Sequence, residues 1–118
     1  PQQAVLERAD AVISHAGLNT VMDAFTAAVP VLALPIAFDQ PGVAARLVHA
    51  GAGLKASPRW TSSRGMGRAL RRLLDEPAFA ARSAELGQAI RQAGGTDRAV
   101  ALIEGVLRSA PPGIAHVA

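Results

Sequence analysis

The chain has no cysteine, and aromatic residues make up only 3 % of its 118 positions. Without cysteine there are no disulfides and no thiolate metal sites. The histidines, His15, His49 and His116, are too scattered for zinc-ligand spacing, so a metal-free protein is expected. Long hydrophobic runs are missing as well. Half of the residues are apolar, yet they fall in short blocks, none approaching the roughly 18 uninterrupted positions of a membrane helix. No transmembrane segment is expected. Pro1 stands where a start methionine would, and Pro1 to Val5 shows neither the basic nor the apolar region of a signal peptide. The chain reads as a single domain taken from a longer protein and as cytoplasmic, with any membrane association arising through a part outside it.

The formal charge is +3 and the isoelectric point about 11.0. Lys55 is the only lysine among 12 basic residues, and the arginines are spread from Arg8 to Arg108 between alanines and leucines. A polyanion-binding surface would show a clustered run with interleaved aromatics. The one dense patch, Arg68, Arg71 and Arg72, has the spacing of a solvated helix face, so nucleic acid is not an expected partner.

Periodicity sets the layout. Gln3 to Arg8 makes a helical turn or two, and Ala11 to Ser14 is a short β-branched run of the kind found in a buried parallel strand. From Leu18 to Ala28 the apolar positions recur at helical spacing, until Pro30 stops the pattern. Val31 to Leu34 is a second strand, Gln40 to His49 a helix entered through Pro41 and ended by Ala50-Gly51, and Gly53 to Ala56 a third strand. Helices over Thr61 to Leu74, Ala78 to Gln92 and Asp97 to Arg108 follow, separated by Glu76-Pro77 and Gly94-Gly95. Alternating strands and helices predict an α/β fold with a parallel sheet and right-handed crossovers. Such sheets bind ligands at the carboxyl ends of their strands. Two loops lie there, His15 to Asn19 and Ile36 to Gln40, and both are polar.

The first loop, SHAGLNT, opens a helix. Its unpaired N–H groups and the positive end of the helix dipole suit a phosphate, with Gly17 admitting close approach and His15, Asn19 and Thr20 as further donors. A plainer reading is that Asn19 or Thr20 caps the helix and His15 is a satisfied histidine at the core edge. Asp23 lies one turn further along the same face, where its carboxylate could accept from both hydroxyls of a ribose or could simply be a surface aspartate near a helix start. In the second loop Asp39 and Gln40 pair an acceptor with a group that both donates and accepts, as reading sugar hydroxyls requires. A capping Asp39 explains the same residues.

Taken together, PQ at 1 and 2, HAGLNTVMD at 15 to 23, VPVLALP at 29 to 35 and DQPGVAARL at 39 to 47 resemble the donor-binding signature of the family 1 UDP-glycosyltransferases. ISHAGLNTVMDAF, PIAFDQPGVAARL and AGGTDRAVALIE closely resemble bacterial members that glucosylate carotenoids such as zeaxanthin. The resemblance implies a Rossmann-like C-terminal lobe of a GT-B glycosyltransferase, a parallel sheet flanked by helices with a helical C-terminal region. Residues 1–118 would then be the nucleotide-sugar (donor) binding domain of a two-domain enzyme. It also implies roles: Gln2 near the nucleoside, His15 on the diphosphate, Gly17, Asn19 and Thr20 on phosphate oxygens, Asp23 on the ribose, and Asp39 with Gln40 on the sugar.

No cofactor or metal is implied. UDP-sugar, with glucose the expected sugar, is the co-substrate. The partner is an N-terminal acceptor-binding domain that supplies the general base, so no catalytic residue is assigned within this chain. A macrolide, sterol or phenolic acceptor, or a UDP-sugar epimerase of the same fold, is the alternative. Some positions depart from the signature. Asp23 stands where Glu is usual, Leu18 where plant members have Trp, and Ala28 where Gly precedes Val-Pro. The last should be harmless provided that helix end is not left-handed. Trp60 is expected to be a packing residue, His49 and His116 to be incidental, and Gly94, Gly95 and Arg98 are candidates for closing the cleft.

Overall fold

The computed structural model describes residues 1–59 and 61–109. In chain order the elements are α1 (Gln2–Leu6), β1 (Val12–Ser14), α2 (Leu18–Thr26), β2 (Val31–Ala33), α3 (Gln40–His49), β3 (Gly53–Lys55), α4 (Ser63–Asp75), α5 (Pro77–Gln92) and α6 (Gly95–Ser109). All the expected strands and helices are present. The sheet is parallel with order β1-β2-β3, Val12 beside Val31 and Val31 beside Gly53.

Alternation along β2 divides the core into two layers. Val31 and Ala33 pack with Val21, Phe25 and Leu47 of the α2 and α3 layer, whereas Leu32 packs with Leu73 of α4. Of the strands among the described residues, β2 alone is buried along its whole length. β1 was expected to be a buried strand and is half-exposed, with Ile13 at 46 %. It lies at the sheet edge, and α4 packs on β2 and β3. Gly53 lets β3 lie close beside β2, since a Cβ there would fall 2.1 Å from the carbonyl oxygen of its register partner Val31.

The end of α2 corrects one expectation. Ala28 has φ +61. Its N–H donates to the Phe25 carbonyl at 2.9 Å and that of Val29 to the Ala24 carbonyl at 2.8 Å. This pair of bonds is a Schellman closure with alanine in the position that favours glycine. The substitution at 28 is therefore strained, because the β-carbon crowds a left-handed backbone.

α5 closes the amino edge of the sheet. Arg82 Nε donates to the Ala50 carbonyl at 2.9 Å, buried Ser83 Oγ to the Ala52 carbonyl at 3.3 Å, and Arg91 Nη1 to the Thr26 carbonyl at 2.9 Å. These acceptors lie at the ends of α3 and α2 and just before β3, so α5 leaves the opposite edge open. α6 adds nothing to the core. None of its residues is buried, and Val100, Ile103, Val106 and Leu107 are exposed along it. Gly94 and Gly95, with φ +81 and +49, form the turn into it, and the Arg98 side chain lies against Gly94. No helix among the described residues is long and apolar enough to cross a membrane.

Candidate functional site

The loops after β1 and β2 leave the sheet side by side. Ser14 pairs with Ala33, and the Leu34 N–H donates to the Ser14 carbonyl at 2.7 Å. Every polar residue singled out in the two loops thus lies at one edge.

In the first loop the left-handed residue is Ala16, with φ +66, and not Gly17. Ala16 is wholly buried, and its N–H donates to Ser14 Oγ at 3.2 Å. Gly17 is extended, with φ −61 and ψ 135, and forms the N-cap of α2. What it provides is room, since a Cβ on Gly17 would sit 2.8 Å from His15 Nε2. The imidazole therefore folds over the start of α2. That helix has no side-chain cap, so neither Asn19 nor Thr20 takes the capping role open to it. The Gly17 carbonyl accepts from Val21 at 3.1 Å, which leaves the N–H groups of Leu18, Asn19 and Thr20 with no acceptor in the helix. An exposed histidine beside such a turn is a place where negative charge is stabilised.

Asp23 is half-buried one turn along, and Gln2 Nε2 donates to its Oδ2 at 2.8 Å. The bond joins α1 to α2 and holds the carboxylate through Oδ2. A small cavity of about 150 Å³ lies beside it, lined by Gln3, Glu7, Asp23, Thr26 and Ala27.

The second loop is folded by Gln40. Its Oε1 accepts from the N–H groups of Ile36 at 2.9 Å and Ala37 at 3.0 Å. Phe38, between this pair and Gln40, has φ +57 and is 94 % exposed. Asp39 is the N-cap of α3 and its carbonyl accepts from Gly42 and Val43, but its carboxylate makes no capping bond. The bland reading of Asp39 as a capping side chain is not what the loop shows. Its charge is exposed at the crevice.

Sequence reasoning missed a neighbouring apolar groove of about 590 Å³ between α2 and α3. Leu18, Met22 and Phe25 face Val43 and Leu47 across it, with Phe38 and Asp39 also in its wall. The i, i+4 spacing of these residues marks their shared faces, although not the gap between the helices.

Residues outside the crevice have simpler surroundings. His49 is exposed in the last turn of α3, away from Asp39. Arg68, Arg71 and Arg72 are exposed on α4. Arg72 bonds Glu76 at 2.8 and 3.2 Å, which raises the guanidinium's pKa and lowers that of the carboxyl. Trp60 and His116 lie outside the described residues. Among the described residues, no three His, Asp or Glu side chains are grouped so as to hold a metal ion.

A family model described as UDP-glucoronosyl and UDP-glucosyl transferase matches residues 1–117. The chain belongs to this UDP-glycosyltransferase family. It is 47 % identical over 111 residues to a zeaxanthin glucosyltransferase of Pantoea ananas, covering 94 % of this chain and 26 % of that protein. To a zeaxanthin glucosyltransferase of Pseudescherichia vulneris it is 46 % identical over 103 residues, covering 87 % and 25 %. Among solved structures, a spinosyn forosaminyltransferase matches with a TM-score of 0.85 at 31 % identity, over 92 % of this chain and 29 % of that one. The glycotransferase of kitacinnamycin matches with a TM-score of 0.83 at 35 % identity, over 88 % and 27 %. This UDP-glycosyltransferase chain thus spans about a quarter of the length of these relatives. Its α/β architecture is that of the GT-B glycosyltransferases it matches.

Proposed function

We propose that this chain is the donor-binding domain of an inverting glycosyltransferase that uses a UDP-sugar, with glucose the preferred sugar. In this reading the diphosphate lies on the start of α2, held by the free N–H groups of the first turn, by Asn19 and Thr20, and by His15. Asp23, oriented by Gln2, takes the ribose hydroxyls, and Asp39 with Gln40 takes the sugar. The observation that carries it is the uncapped N-terminus of α2, with the His15 imidazole folded onto Gly17 and the unengaged Asp39 carboxylate on the adjacent loop.

The chemistry follows from where charge builds. As an acceptor hydroxyl attacks the anomeric carbon and the C–O bond to UDP breaks, negative charge grows on the diphosphate. Donors already in place there stabilise that charge more than they stabilise the ground state, by about 3 kcal/mol for each well-aimed group. The hydroxyl's proton goes to a general base in the N-terminal domain, a second domain outside this chain that also binds the acceptor. Neither His15, committed to phosphate, nor His49, on the far end of α3, is placed for that role.

We take the acceptor to be a hydroxyl of a lipophilic molecule such as zeaxanthin. The high identity to two zeaxanthin glucosyltransferases supports this choice. Calorimetric titration of the intact protein with UDP and UDP-glucose tests the donor site. Both should bind, and His15→Ala and Asp23→Ala should each weaken binding at least tenfold. Unchanged affinity in both variants removes the assignment. An acceptor panel containing zeaxanthin, a macrolide and a phenol tests the acceptor, and release of UDP or an altered sugar without any acceptor would indicate an epimerase.

A further inference from the structure

Gln40 does two things with one carboxamide. Its oxygen has two lone pairs, and the Ile36 and Ala37 N–H groups fill both, at 2.9 and 3.0 Å. The orientation of the amide follows from these partners, because a flipped group would set its NH2 against two backbone donors. Only Nε2, a pure donor, remains for a ligand.

The bonds span a turn that its own residues resist. Phe38 has a β-carbon and a ring, yet holds φ +57 while 94 % exposed and without the cover of a core. Such a conformation persists only where its surroundings impose it. The bonds that close over it are those to Gln40 Oε1, together with the Gln40 N–H donating to the Ala37 carbonyl at 3.3 Å. Asp39 follows at once, as the N-cap of α3 with a carboxylate that caps nothing.

We propose that Gln40 is a positioning residue. Its carboxamide oxygen locks Phe38 in the left-handed turn and so sets the Asp39 carboxylate at the crevice, and toward the sugar Gln40 acts as a donor only while Asp39 does the accepting. The sugar-facing half of this statement rests on the donor-site reading above. The locking half rests on the loop alone.

The test uses the intact protein in four variants. Gln40→Glu keeps an acceptor oxygen and removes the donor. Gln40→Ala removes both. Phe38→Gly removes the strain, and Phe38→Gly/Gln40→Ala combines the two changes. Amide hydrogen exchange at Ile36 and Ala37 should accelerate at least tenfold in Gln40→Ala and stay near the parent rate in Gln40→Glu. Both Gln40 variants should raise KM for the UDP-sugar. UDP inhibition, which needs no sugar contact, should be unchanged in Gln40→Glu. Phe38→Gly should restore at least threefold of the kcat/KM lost in Gln40→Ala, because glycine holds the turn without a lock.

Unchanged exchange at both amides in Gln40→Ala overturns the proposal, as does strict additivity in the double variant. Failure of the donor reading looks different. No variant then turns over a UDP-sugar, while exchange at Ile36 and Ala37 still separates Gln40→Ala from Gln40→Glu.

Discussion

Gln2 Nε2 donates to Asp23 Oδ2 at 2.8 Å, tying the first helix to a residue 21 positions later. Gln2 thereby acts on the carboxylate without having to touch a ligand. The two should differ in how much they matter. Removing the carboxylate deletes a charged acceptor, worth about 1.5–3 kcal/mol or roughly 10- to 150-fold in affinity. Removing its orienting neutral partner costs about 0.5–1.5 kcal/mol, or roughly 2- to 12-fold. Asp23→Ala should therefore weaken UDP binding more than Gln2→Ala does. Pyrophosphate, which has no ribose, should bind both variants as it binds the parent. Titration calorimetry with the two ligands checks this, and equal losses on pyrophosphate would move Asp23 off the ribose.

Gly17 offers a way to disturb His15 without touching it. A Cβ there would lie 2.8 Å from Nε2, and the exposed imidazole would swing away to make room. The backbone at Gly17, with φ −61 and ψ 135, accepts alanine. Gly17→Ala should leave stability within about 1 kcal/mol of the parent, since the poorer N-cap and the stiffer unfolded chain oppose one another. UDP affinity should fall about as far as in His15→Ala. The double variant should bind no worse than His15→Ala alone, and a further drop would mean that Gly17 serves the phosphate through its own backbone.

Ala28 is a place where the chain carries strain that function does not explain. A left-handed alanine costs about 1–2 kcal/mol, and the extra freedom of a glycine in the unfolded chain returns roughly half of that. Ala28→Gly should stabilise by about 0.5–1 kcal/mol, raising Tm by about 3–6 °C. Ala27→Gly, one residue earlier at φ −85, should lower Tm, because no strain is there to relieve. Differential scanning calorimetry of the pair decides it.

These positions show what was legible in the sequence and what was not. Gln40–His49 could be read to the residue, because Pro41 fits only a first turn and Ala50-Gly51 ends the helix. The strands were legible as apolar blocks, and the anion site as a helix start placed after one of them. The backbone signs were not. Ala16, Ala28 and Phe38 are left-handed, and a reader who assigns positive φ to glycine looks at Gly17 instead. Phe38 is left-handed because two N–H groups on one side of it donate to the Gln40 carboxamide oxygen on the other, a closure visible only once the loop exists. The exposure of Ile13 and the lack of burial along α6 share another cause. Periodicity marks an apolar face, but not whether the chain at hand supplies the surface to cover it.

Gly87 gives the severest stability prediction. It lies in α5 where that helix crosses the end of α2, and a Cβ would fall 2.0 Å from the Phe25 carbonyl oxygen, 2.7 Å from its carbon and 3.2 Å from Thr26 Cα. These are backbone atoms and cannot rotate away as a side-chain tip would. The helices must separate, stretching the nearby Arg91 bond to the Thr26 carbonyl, 2.9 Å in the parent. Gly87→Ala should cost about 3 kcal/mol or more, the upper end of overpacking losses, and lower Tm by more than about 10 °C. Gly67→Ala is the matched control, with nothing within 4 Å of its added Cβ in the exposed middle of α4. There the better helix propensity of alanine should stabilise by about 0.5–1 kcal/mol. Opposite signs for one chemical change, read from urea midpoints, would show that contact between α2 and α5 sets the cost and glycine content does not. A mild loss at Gly87 would mean that α5 can shift away from α2 at little cost, and that this contact does not set the stability.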